Sequence, residues 1–208
     1  APPPGSHAPG EARAYDGARA SWWLPHMAPA LSSSPSHAGT WVTAFTDGST
    51  LPDAGEPTGC AVVITDGRRV VAEHSFPCYV PGDNFVAELA AILSAITMVP
   101  AEAHISIRTD STAAIGVVSR GRLRDWSEGG FGNRYALSQR HVHLVSARAL
   151  LAGIRTAIEE RPGKVALTHV KAHTGGRSWA AVQNDRADAL ANGARVAAIE
   201  AIRSAGGA

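Results

Sequence analysis

Between Trp41 and Thr109 the hydrophobic period changes from two to 3.6 residues and back again, which restricts how the segment can pack. Trp41-Val42-Thr43-Ala44-Phe45-Thr46 is rich in β-branched and aromatic residues, so it reads as a strand that stops at the turn signal Asp47-Gly48-Ser49. Gly59 to Thr65 and Arg69 to Tyr79 read as two more strands, joined through Asp66-Gly67 as a tight hairpin. Phe85, Leu89, Ile92, Ile96 and Val99 then recur at spacings of 4, 3, 4 and 3, the stripe of an amphipathic helix that ends before Pro100. His104 to Thr109 alternates Ile105 and Ile107 with polar neighbours as a fourth strand, and Asp110-Ser111-Thr112 can cap a short helix. Further on, Leu144 to Ile158 reads as a helix, Lys164 to Val170 as a fifth strand, and Ala181 to Ile202 as a long Ala-rich helix weakened at Gly193. Strands in direct succession pair antiparallel, whereas a strand reached through a helix comes back parallel. The expected fold is therefore α/β: a five-stranded mixed sheet, three antiparallel strands then two parallel ones, flanked by helices.

Residues 1–39 lack either period and are crowded with Pro, Ala, Gly and Ser, so they are expected to be a disordered leader or linker ahead of a domain spanning 40–208. Of 208 residues 45% are hydrophobic, enough for one full-sized core. No apolar run approaches the length of a membrane span, and the first residues lack the basic and apolar regions of a secretory signal, so an intracellular protein, cytoplasmic or nuclear, is expected. Cys60 and Cys78 are too few for a disulfide scaffold and lack metal-binding spacing, so both are expected to be buried thiols. The net charge of +1 says nothing about a polyanionic partner, but residues 120–148 hold six arginines against Asp125 and Glu128, 6 − 2 = +4, interleaved with Trp126, Phe131 and Tyr135. That local excess suits a nucleic-acid backbone.

Four acids occupy positions that solubility does not require. Asp47 and Asp110 end the first and fourth strands, Glu88 borders the buried stripe of the first helix, and Asp188 sits inside the last. If strands one and four are parallel neighbours, Asp47 and Asp110 lie one strand spacing apart. Clustered carboxylates either share protons or bind hard divalent cations. Individually each acid has a plainer explanation: turn former for Asp47 and Asp110, solvated helix residue for Glu88, intrahelical ion pair for Asp188.

Five motifs occur in order: Thr46-Asp47-Gly48-Ser49, Ala87-Glu88-Leu89, Thr109-Asp110-Ser111, His169-Val170-Lys171-Ala172-His173 and Asn184-Asp185-Arg186-Ala187-Asp188. The segment from 41 to 195 that carries them resembles type 1 ribonuclease H. The resemblance implies a ribonuclease H-like fold and hydrolysis of the RNA strand of an RNA/DNA hybrid duplex. It implies that Asp47, Glu88, Asp110 and Asp188 hold two Mg²⁺ ions, with Mn²⁺ able to substitute, one ion activating water and the other stabilising the leaving 3′ oxygen, to leave 5′-phosphate and 3′-hydroxyl ends. It makes His173 a mobile histidine that handles protons or product release, and Gly48, Ser49, Asn84, Arg122, Arg124 and Trp126 substrate contacts, although Asn84 reads equally well as a helix N-cap. A monomeric domain is expected. Two departures stand out: Thr174 to Gln183 is long for the loop after the histidine, and Asp53 and Glu56 add acids after strand one. The leader leaves room for a second setting, a retroelement reverse-transcriptase domain tethered to an upstream polymerase. A third alternative is an inactive copy that only binds hybrid.

Overall fold

The computed structural model describes residues 38–51, 57–78, 83–119, 141–171 and 178–206. The strands are β1 (Trp41–Ser49), β2 (Thr58–Asp66), β3 (Arg69–Cys78), β4 (His104–Thr109) and β5 (Val165–His169). The helices are α1 (Asn84–Met98), α2 (Thr112–Val118), α3 (His141–Glu159) and α4 (Trp179–Gly206). The sheet order is β3-β2-β1-β4-β5, with β1–β2 and β2–β3 antiparallel and β1–β4 and β4–β5 parallel, the mixed sheet the strand sequence implies.

Strand alternation sorts the core onto two faces. Val42 and Ala44 of β1, Cys60, Val62 and Ile64 of β2, and Ile105 and Ile107 of β4 pack against α1, with Leu150, Leu151 and Ile154 of α3 completing that layer. On the opposite face Phe45 and Val63 meet Ala187 of α4, where Trp179 sets its ring edge-on to Phe45 at 5.4 Å between centroids. Both cysteines are buried thiols, as expected. Gly59 lets α4 close onto β2, because a Cβ there would lie 1.9 Å from the Ala191 carbonyl oxygen and 2.7 Å from the Arg195 nitrogen. Arg161 locks the end of α1 from the far side: its guanidinium donates to the carbonyls of Ile96, Pro100 and Ala103 at 2.9, 2.9 and 2.8 Å.

Several boundaries differ from the sequence expectation. Asp47-Gly48-Ser49 does not turn but continues β1, since β2 supplies ladder partners through Ser49↔Gly59. In the hairpin, Asp66 pairs with Arg69, so the turn residues are Gly67 and Arg68. Gly193 does not interrupt α4, which runs through it; about 1 kcal/mol of lost helix propensity is small beside the packing of this helix on three strands.

Candidate active site

The parallel register of β1 and β4 ends at Phe45↔Arg108, and two residues further it sets Asp47 beside Asp110. Asp47, two residues beyond Phe45, lies on the face of β1 that α4 covers. Glu88 arrives from the other side, and Gly48 makes its approach possible. A Cβ on Gly48 would stand 2.6 Å from the Glu88 nitrogen and 2.7 Å from the Ala87 Cβ, so only glycine lets α1 lie this close to the end of β1. One carboxylate oxygen from each of Asp47, Glu88 and Asp110 lies within 4.8 Å of the others.

This is an expensive arrangement for three anions. Glu88 is 1% exposed and Asp47 6%. Burial, with the Asp110 and Asp188 charges next in weight, pushes the Asp47 carboxyl up to about 8. Glu88 is likewise raised well above the usual carboxylate range by burial and then by Asp47 and Asp110. Two groups act in the opposite sense on Glu88, the Thr109 hydroxyl and the Gly48 amide. The Thr109 hydroxyl donates to Glu88 Oε2 at 3.2 Å and accepts from the Ser111 amide at 3.1 Å, which fixes the carboxylate's orientation. Asp188, one turn beyond Asn184 on α4, completes the group as a charge and hydrogen-bond partner of Asp47. An all-oxygen donor set in which burial and then mutual repulsion raise the proton affinity of Asp47 and Glu88 fits hard divalent cations, whose charge relieves that repulsion.

The plainer explanations lose ground here. Ser111, not Asp110, caps α2, its hydroxyl accepting from the Ala114 amide at 3.3 Å. The N-cap of α1 is Asp83, which accepts from the Val86 amide at 3.2 Å, so the alternative of Asn84 as the cap is corrected. Asn84 is the first helical residue, exposed, and one turn ahead of Glu88 on the same helix face. Glu88 is no solvated surface acid. Ser49 is half-buried and accepts from Arg195 Nε at 3.1 Å. His173, Arg122, Arg124 and Trp126 lie outside the described residues. Sequence reasoning missed Thr109 as a support of Glu88 and Arg195 altogether; the former sat inside a quoted motif, while the latter carried no local signal.

A sheet of this order with acids gathered at the ends of its two central parallel strands defines an α/β domain of the ribonuclease H-like class. The family model described as RNase H matches residues 39–195, and the chain belongs to that family. Similar solved structures include RNase H1 from the halophilic archaeon Halobacterium salinarum NRC-1, at 24% identity and TM-score 0.50, covering 74% of this chain and 96% of that one. LC9-RNase H1, a type 1 RNase H with the type 2 active-site motif, is similar at 20% identity and TM-score 0.57, covering 77% and 74%. The foamy viral protease-reverse transcriptase in complex with RNA/DNA hybrid is similar at 18% identity and TM-score 0.57, covering 81% of this chain but 21% of that longer one. No curated protein matches the chain.

Proposed function

We propose that this protein is an endoribonuclease that hydrolyses the RNA strand of RNA/DNA hybrids, leaving 5′-phosphate and 3′-hydroxyl ends. The observation that carries this reading is the buried convergence of Asp47, Glu88 and Asp110, with Asp188 beside Asp47, in a chain of the RNase H family. In the reaction a water oxygen bonds to phosphorus, the bond from phosphorus to the 3′ oxygen breaks, and that oxygen takes a proton as it leaves. Two Mg²⁺ ions held by Asp47, Glu88, Asp110 and Asp188, or Mn²⁺ in their place, would supply an acidified water and charge neutralisation at the leaving oxygen. Thr109 and the Gly48 amide keep the Glu88 carboxylate aimed at the cluster. His173 handles the departing proton or product, and Gly48, Ser49, Asn84, Arg122, Arg124 and Trp126 line the path of the duplex. The working unit is a monomeric domain over 40–208, with 1–39 as its leader, in an intracellular setting.

A second setting, a retroelement reverse-transcriptase domain joined to a polymerase, is favoured by the likeness to the foamy viral protein, within which a chain of this size matches only a part. The test of the activity is cleavage of end-labelled hybrid, duplex DNA and duplex RNA by the wild type and by Asp110→Asn, with Mg²⁺, with Mn²⁺ and with EDTA. RNA-strand cutting confined to the hybrid, absent in EDTA and in the variant, is the expected result. Binding of hybrid by the wild type without cutting under either metal sinks the catalytic reading and leaves a binding module.

A further inference from the structure

The feature that the proposed reaction leaves unexplained is a cation built into the rim of the acid cluster. Phe45 faces α4, so Asp47 and Ser49, at steps of two along β1, share that face and lie about 6.8 Å apart along the strand. On α4, Asp188, Asn192 and Arg195 follow at spacings of four and three, one continuous stripe on the helix. The stripe meets the strand at its far end. Arg195 donates from Nε to Ser49 Oγ at 3.1 Å and from Nη2 to Asn192 Oδ1. Its main chain is pinned as well, because it lies against Gly59, the ladder partner of Ser49. The guanidinium is therefore held in place from two sides, half-buried, with some of its five N–H donors left over. Among the described residues no carboxylate forms an ion pair with it. Fixing a cation beside a cluster of anions without pairing it to them makes sense if a third, anionic party sits between.

We propose that Arg195 grips a phosphodiester of the strand being cut, next along the backbone from the one at the acid cluster. The displacement from Asp47 to Ser49 is on the scale of a single step from phosphate to phosphate, and a planar guanidinium suits two phosphate oxygens at once. Ser49 and Asn192 are then positioning residues that hold the fork flat, and Ser49 acts on substrate through Arg195. This inference rests on the hybrid-cleaving reading.

The experiment measures binding of a labelled RNA/DNA hybrid in EDTA, where no cutting occurs, as KCl is raised from about 50 to 200 mM. Wild type, Arg195→Gln, Arg195→Lys and, as a control on a remote surface, Arg155→Gln are compared, with thermal melts to show that each is folded. Arg195→Gln should bind about tenfold more weakly and flatten the dependence of log affinity on log salt by about 0.9, the share of one phosphate contact. Arg195→Lys should keep the slope and recover part of the affinity, and Arg155→Gln should change neither. A folded Arg195→Gln whose salt slope equals that of a wild type that binds and cuts hybrid overturns the role of Arg195 alone, reducing it to a brace for Ser49. A wild type that neither binds nor cuts hybrid overturns the functional reading and this inference with it.

Discussion

Replacing Asp47 by asparagine should make the metal-free protein more stable while abolishing its activity. The Asp47 carboxyl moves from 3.8 to about 8 on folding, chiefly through burial and then through the Asp110 and Asp188 charges. Between those two values the folded state holds a proton that the unfolded state releases, so metal-free stability falls as pH rises from 4 to 8 and levels off above 8. At pH 7 the shift corresponds to roughly 4 kcal/mol, an upper figure because Asp47 is coupled to Glu88. Asparagine keeps the shape, removes the titration and relieves the repulsion on Glu88. The variant should therefore gain about 2–4 kcal/mol at neutral pH, or about 5–15 °C in Tm for a domain of this size. Thermal or urea unfolding of both proteins in EDTA, at intervals across pH 4–9, measures this. The gap should widen from pH 4 towards 8, and added Mg²⁺ should narrow it by stabilising the wild type preferentially. A metal-free variant that is less stable than wild type at pH 7.5, or a gap that ignores pH, refutes the reasoning.

Other substitutions probe the supports of the site. Gly48→Ala should push α1 away from β1, costing about 3 kcal/mol in urea unfolding and most of the cleavage activity, whereas Gly193→Ala, with open space around its Cβ, should stabilise by about 0.5–1 kcal/mol. Thr109→Val removes the hydroxyl that holds Glu88, so cleavage should need more Mg²⁺ for half-maximal rate, with Tm changed far less than the rate; an unaltered Mg²⁺ dependence would show that Glu88 is aimed by something else. Arg161→Met leaves three carbonyls, one in α1 and two between α1 and β4, without this donor, and hydrogen-bond losses of this kind should lower stability by about 2–4 kcal/mol while leaving the cleavage kinetics of the folded protein unchanged.

What sequence could disclose here was periodic or local. The spacing of Phe85, Leu89, Ile92 and Ile96 placed α1, whose large apolar residues repeat at helical intervals, and the Ile105/Ile107 alternation placed β4 at its observed limits, because burial there alternates along the strand. The three acids of the tight cluster were legible as a set, and the family resemblance carried Asp188 with them. The extension of β1 through Asp47-Gly48-Ser49 was hidden because a local turn signal there is overridden by pairing with β2, a partner the local window does not contain. The cap on α1 is Asp83, one residue before Asn84, for which capping is one of two equal readings of the sequence; neighbouring Asp and Asn offer nearly equal chemistry. The Arg195–Ser49 and Arg161 contacts join distant parts of the chain and leave no periodic trace, so only the folded arrangement reveals them.

The drawing of its acids from β1, α1, β4 and α4 also bears on how the site comes to be formed. Asp47 and Asp110 meet only after β2, β3 and α1 have been looped out between parallel neighbours, and Asp188 joins only when the last helix has crossed the sheet. Such non-local closures are slow relative to hairpins and helices. No fragment, and no collapsed intermediate lacking the docked helix, can bring all four acids together. Cation binding by all four acids would thus be coupled to completion of the whole topology, and a titration with Mg²⁺ during refolding would report the final step of assembly rather than the formation of any single element.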